Sequence, residues 1–191
     1  RSTERILDAN AVAEACLPLL APRAAARPAA LTGPVVDKNT IARCNALIDD
    51  ALAKGARLLT GGKANDTHMS PTLLDGVTRE MRLWREESFG PVKAIIRVHS
   101  EEEALAVAND SEYGLSAAVY SRDSARAWNV AQRLHTGICH INGPTVHDEA
   151  QMPFGGCKAS GYGRFGGRAG IAEFTELRWI TIQTQSRELP F

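Results

Sequence analysis

Between residues 139 and 157 stand two cysteines, two histidines and two acids: Cys139, His140, His147, Asp148, Glu149 and Cys157. Such side chains could ligate zinc or iron. The spacing argues against it. In a strand, Cys139 and His140 point to opposite faces and cannot share an ion, and the other intervals fit no standard zinc pattern. No metal is expected. His147 could act as a base, though a single histidine in a loop is more simply an exposed one. A second candidate is GYGRFGG at 161–167, whose Gly161, Gly163 and Gly166 spell G-x-G-x-x-G. That fingerprint binds a dinucleotide only when a buried strand delivers the chain to a helix N-terminus and an acid follows about 20 residues later. Here PFGGCKAS, which does not read as a strand, precedes it. GRAGIAEF offers at most two turns of helix, and no second βα unit follows. The glycines are therefore expected to make turns and not a phosphate cradle.

The elements that must position these groups are legible in outline. The chain has 191 residues, with 22 basic and 22 acidic side chains and 44% hydrophobic residues. That suits a packed core and gives no reason to expect nucleic acid or an anionic membrane as partner. No apolar run is long enough to span a bilayer. Four dispersed cysteines, no C-x-x-C and no secretory leader make a reduced, cytoplasmic setting the expectation. A helix kinked at Pro18 is read over 10–21, and a short basic helical patch and loop over 22–34. Asp37 caps a helix to about Lys54, with Ile41, Cys44, Leu47, Ile48, Ala51 and Leu52 as its buried stripe and Gly55 as its stop. Strands follow at ARLLTGG, SPTLLDGV and PVKAIIRVHS. Ser100 with Glu103 makes a capping box for a helix over 101–109. LSAAVYS is the next strand, Asp123 caps a helix through Leu134, and GICHIN is another strand. This alternation predicts an α/β fold with a largely parallel sheet and flanking helices. A long glycine-rich loop over 143–170 follows. The chain ends in an apolar-alternating strand at 178–184 with no later element to pair with.

Two stretches carry a family resemblance. REESFGPV (85–92) resembles the E-x-F-G-P segment of the aldehyde dehydrogenases. INGPTVHDEAQMPFGGCKASGYGRFGGRAGIAEFTELRWITI (141–182) resembles their I-N … P-F-G-G-x-K-x-S-G-x-G-R … F-T-E motif. NDSEYGLSAAVYSRD and ALIDDALAKGARLLTGGK add to the likeness, which covers essentially the whole chain and is nearest to the enzymes of aromatic aldehydes. It implies oxidation of an aldehyde to a carboxylic acid with NAD, or alternatively NADP. In that chemistry a cysteine thiolate attacks the carbonyl, hydride passes to the nicotinamide, and a glutamate base activates water against the thioester.

Residue by residue, the resemblance makes Glu87 the acid that holds the nicotinamide ribose hydroxyls, where a solvated surface acid is the alternative. It makes Phe89 the aromatic beside the nicotinamide, where a core phenylalanine is the alternative. Phe154 would border the aldehyde's tunnel, and Thr145, Val146 and His147 would line its outer part. The family nucleophile precedes a segment like Ser2-Thr3-Glu4-Arg5, so by register it falls upstream of Arg1. None of Cys16, Cys44, Cys139 or Cys157 matches it. The expectation is thus a catalytic-domain portion over 1–176 with a C-terminal oligomerisation strand and tail over 177–191. The nucleotide-binding domain, the nucleophile and the base glutamate would lie outside the chain. The complete enzyme would be an oligomer of identical chains, and this chain alone would be inactive. The alternative is a catalytically silent module that assembles through its unpaired last strand.

Overall fold

The structure, a computed structural model, describes residues 5–9, 18, 22, 33–186 and 188. The helix expected over 10–21 therefore lies outside the described residues. The first described elements are strand β1 (Arg5–Ala9), helix α1 (Lys38–Ala53), β2 (Arg57–Thr60) and β3 (Thr72–Asp75). A 3₁₀ turn (Arg82–Trp84) leads to β4 (Val92–Val98) and α2 (Glu101–Asn109). Then come β5 (Tyr113–Gly114), β6 (Ser116–Val119), α3 (Ser124–Gln132), β7 (Ile138–Ile141), β8 (Cys157–Lys158) and α4 (Gly167–Glu173).

The main sheet has the order β1-β4-β3-β2. β4 runs parallel to β1, from Arg5↔Ala94 to Ala9↔Val98, and parallel to β3, while β2 closes the edge antiparallel to β3. β6 and β7 form a separate parallel pair, and β5 and β8 a short antiparallel one. The parallel pairing expected from the alternating pattern is thus present, with antiparallel additions at its margins. β4 reads as a nearly continuous apolar run because it is flanked on both edges: Val92, Ala94, Ile95, Ile96 and Val98 are all buried.

Helix α1 begins where expected. The Asp37 carboxylate accepts from Thr40 N at 2.7 Å and from Thr40 Oγ1 at 2.9 Å. Ile41, Cys44, Leu47, Ile48 and Ala51 form its buried stripe and join Met69, Leu74, Met81, Trp84 and the β4 side chains in one core. Leu52 does not belong to it. At 39% exposure it lies outside the stripe, although its spacing fits. The capping box of α2 is half formed. Ser100 Oγ accepts from Glu103 N at 3.1 Å, but the Glu103 carboxylate takes the N–H of His99 and not that of Ser100. Asp123 caps α3 through Arg126 N.

One polar group is sunk in the main sheet. Asp75, 5% exposed, receives Arg97 Nε at 2.8 Å and Arg97 Nη2 at 3.0 Å, with Arg57 Nη2 at 2.9 Å. The Arg97 fork, helped by Arg57 and opposed by burial, holds the Asp75 carboxyl below the usual carboxylate range.

The stretch 143–170 is not an unstructured loop. It holds β8, a bridge between Phe154 and Phe165, and the start of α4. Residues 178–184 form no strand pairing among the described residues, and Leu177, Trp179, Ile180 and Ile182 are exposed at 106%, 90%, 70% and 83%. Among the described residues no helix is long and apolar enough to cross a membrane.

Candidate functional site

The first site is built on the corner between the 3₁₀ turn and β4. Glu87 is half-buried there and Ser88 is buried beside it. The Ser88 carbonyl accepts Arg43 Nε at 3.1 Å, Arg43 Nη2 at 3.0 Å and the Cys44 thiol at 3.4 Å. Ser88 Oγ accepts from Gly90 N at 3.3 Å and lies within donating distance of the Gly90 and Val92 carbonyls. A Cβ at position 90 would stand 2.6 Å from the buried Cys44 Sγ, so a larger residue there would have to displace the thiol. Between these anchors Phe89 has φ +50° and leaves its ring 60% exposed. A bulky residue in the left-handed region is an outlier that its surroundings must enforce. The ring borders a cavity of about 400 Å³ lined also by Pro34, Val35, Val36 and Pro91. Glu87, two residues before Phe89, is not among the residues that line this cavity.

The second site lies at the C-terminal end of β7. Asn142 has φ +56° and clamps the neighbouring turn in both directions. Its Oδ1 accepts from Ser121 N at 2.9 Å and its Nδ2 donates to Ser121 O at 3.0 Å. Asparagine tolerates the left-handed region better than other non-glycine residues. Beyond it, a cavity of about 410 Å³ is lined by Cys139, His140, His147, Glu149, Met152 and Phe154, among others. The His140 and His147 rings meet edge to face at 5.7 Å, and His147 Nε2 lies 3.3 Å from Glu149 Oε1. No group of three or more potential metal ligands converges among the described residues. Phe154 is held by a two-way backbone bridge, Phe154 N to Phe165 O at 2.8 Å and Phe165 N to Phe154 O at 2.7 Å. Thr145 and Val146 do not line this cavity. The Thr145 carbonyl accepts from Ser116 Oγ at 3.1 Å, and Val146 is 89% exposed.

The loop that carries Phe154 is fastened by three side chains. Lys158 Nζ donates to the carbonyls of Asn109 and Ser111 at 3.1 and 3.0 Å, at the C-terminal end of α2. Ser160 Oγ accepts from Gly114 N at 2.9 Å, and Arg164 Nη1 donates to Gly156 O and Gly163 O, both at 2.7 Å. Within the GYGRFGG stretch the Arg164 N–H is taken by the Glu173 carboxylate at 3.1 Å. Arg43, Ser88, Asn142 and Lys158 are structural anchors that spacing alone did not assign. Positive φ marks Asn142 and Lys158 themselves and the neighbour of Ser88.

Neither Cys44 nor Cys139 has the setting of an activated nucleophile. Cys44 is fully buried, and burial pushes its thiol up, opposed in part by Arg43. Burial likewise raises the Cys139 thiol. Cys157 donates to the Gly114 and His135 carbonyls at 3.4 and 3.2 Å. A reactive thiol needs an electropositive, accessible setting that lowers its pKa. Cys16 lies outside the described residues.

The chain is thus an α/β domain of mainly parallel sheets with two cavities, each bordered by an aromatic on a strained or tightly pinned loop. The chain belongs to the aldehyde dehydrogenase family, whose pattern matches residues 3–180. It is 55% identical to the vanillin dehydrogenase of Pseudomonas fluorescens, over 99% of this chain and 41% of that protein. The crystal structure of a salicylaldehyde dehydrogenase from Pseudomonas putida G7, complexed with salicylaldehyde, superposes with a TM-score of 0.91 at 43% identity, over 100% of this chain and 41% of that one. An aldehyde dehydrogenase of Mycobacterium tuberculosis complexed with NAD+ gives a TM-score of 0.83 at 32% identity, over 91% and 38%. The chain thus spans about two fifths of the length of the relatives it matches.

Proposed function

We propose that this chain is the catalytic-domain portion of an NAD-dependent aldehyde dehydrogenase that oxidises an aromatic aldehyde to its carboxylic acid, with NADP as the alternative cofactor. The observation that carries the reading is the family match over residues 3–180, with 55% identity to an enzyme named for an aromatic aldehyde. The cofactor supplies the hydride acceptor when bound. Glu87 accepts hydrogen bonds from its ribose hydroxyls, and Phe89 offers the apolar face beside the ring. Phe154 borders the aldehyde in the second cavity, where Met152 and the histidine pair supply the rest of the wall. Thr145 and Val146 belong to the outer tunnel. Their exposure in this chain fits a wall completed by the remainder of the enzyme. The nucleophilic thiol and the base glutamate belong to the part of the enzyme that this chain does not include. The setting is cytoplasmic.

The domain division follows the same reading. Residues 1–176 are the catalytic portion, and 177–191 pair with a strand of another subunit in a homo-oligomer. The four exposed apolar side chains from Leu177 to Ile182 support this, since an extended apolar segment is stabilised by adding itself to a sheet edge.

Three measurements test these assignments. In the full-length enzyme, Glu87→Gln weakens the hold on the ribose and slows hydride transfer by about 10-fold or more. Unchanged kinetics towards both cofactor and aldehyde would refute the role. The 191-residue chain alone, incubated with NAD and vanillin or salicylaldehyde, forms no NADH. Turnover abolished by alkylating one of its cysteines would overturn the placement of the nucleophile. In hydrogen exchange on the full-length oligomer, amides 178–184 are protected, and protection that persists in a dissociated monomer counts against intersubunit pairing.

A further inference from the structure

The left-handed backbone of Phe89 asks what holds it there. Its ring is 60% exposed, so packing of the side chain within this chain does not compensate the conformation. The angle φ of Phe89 is the rotation between its own Cα and the peptide plane shared with Ser88. Whatever fixes the Ser88 carbonyl fixes that plane. Two arms of one guanidinium, Arg43 Nε and Nη2, converge on this oxygen at 3.1 and 3.0 Å, from a helix that is itself anchored in the core by Cys44, Leu47 and Ile48. The Ser88 hydroxyl then ties the next amide, Gly90 N, at 3.3 Å. A flip of the 88–89 peptide would return Phe89 to ordinary negative φ, but it would turn the carbonyl away from the guanidinium and leave a charged donor facing an N–H.

We propose that Arg43 is a positioning residue for the cofactor side of the site: by holding the Ser88 carbonyl it keeps Phe89 in the left-handed conformation that presents its ring outward. The proposal rests on the reading of Phe89 as the aromatic beside the nicotinamide. Arginine is suited to the task because a planar fork fixes the direction of a carbonyl, which a single rotatable ammonium does not.

The test uses the full-length enzyme with Arg43→Met, which keeps the aliphatic stem, and Arg43→Lys, which keeps the charge, each alone and combined with Phe89→Ala. Two readouts are taken: amide exchange of residues 87–92 by mass spectrometry, and NAD binding and steady-state kinetics with NAD and aldehyde varied separately. Arg43→Met is expected to speed exchange across 88–90 and to lower kcat/KM for NAD by about 10-fold, with KM for the aldehyde unchanged. Arg43→Lys recovers part of both. In the Phe89→Ala background the Arg43 substitution adds nothing further to the kinetics, because the ring it positions is gone. Unchanged exchange in Arg43→Met, alongside damaged kinetics in Phe89→Ala, overturns the assignment of Arg43 alone. Normal NAD kinetics in Phe89→Ala overturns the reading of Phe89 and the proposal with it. Additive effects in the double variant overturn action through Phe89.

Discussion

Gly137→Ala is expected to destabilise the chain by about 3 kcal/mol. A Cβ built at this position stands 1.9 Å from the carbonyl oxygen of Gly155 and 2.9 Å from both the Gly155 carbonyl carbon and the Gly156 Cα. Every one of these atoms is backbone, so no side chain can swing aside. Gly137 donates to Gly114 O at 3.0 Å and opens β7, while Gly155 and Gly156 directly follow Phe154. The added methyl must therefore push apart the strand and the loop that meet at the second cavity. In the full-length enzyme the same change should raise KM for the aldehyde, since Phe154 moves with the loop. Gly143→Ala is the control. Its Cβ would have as nearest neighbour His140 Cβ at 3.7 Å, an ordinary contact, and its cost should stay within about 0.5 kcal/mol. Urea unfolding of both variants decides the matter, and equal midpoints would show that the glycine contact is slack.

Asp75→Ala should cost a similar amount, about 3 kcal/mol, by taking the carboxylate from a pair buried in the main sheet. The Asp75 side chain is 7% exposed and that of Arg97 19%, whereas Arg57 at 67% is screened by water and adds little. The pH dependence has a definite sign. The Asp75 carboxyl is lowered in the folded chain, first by Arg97. Its stabilisation is then fully present above the unfolded value of about 4 and is lost as pH falls through the lower folded value. Wild type and Asp75→Asn, which keeps the shape but not the charge, should differ clearly at pH 7 and converge towards about pH 2. A constant gap across that range would mean that the carboxylate contributes through shape or hydrogen bonding and not through its charge.

The parts of this molecule that were legible beforehand share a short reach. Asp37, Ser100 and Asp123 each accept from an amide three residues ahead, so the sequence carries both halves of the contact. The stripe of α1 follows from its period, and in its last turn Ala51 is buried while Leu52 beside it is exposed. The capping box at Ser100 went half wrong because Glu103 had two amides within reach, and local pattern does not say which it takes. Family likeness named Glu87, Phe89, Phe154, Thr145 and Val146 without geometry, and of these only Phe89 and Phe154 border a cavity among the described residues.

By itself, then, the sequence determined the helices α1, α2 and α3 with the residues that cap them, most of the apolar strands and membership of the family. Only the tertiary structure decided which strands pair, how the Ser88 carbonyl is held by a guanidinium 45 positions away, and how closely Gly137 meets Gly155. The physical reason is distance along the chain. A cap or a helical stripe is fixed by neighbours within a turn. A carbonyl held by a remote side chain, or two backbones in contact, exists only once the intervening chain has folded and brought them together.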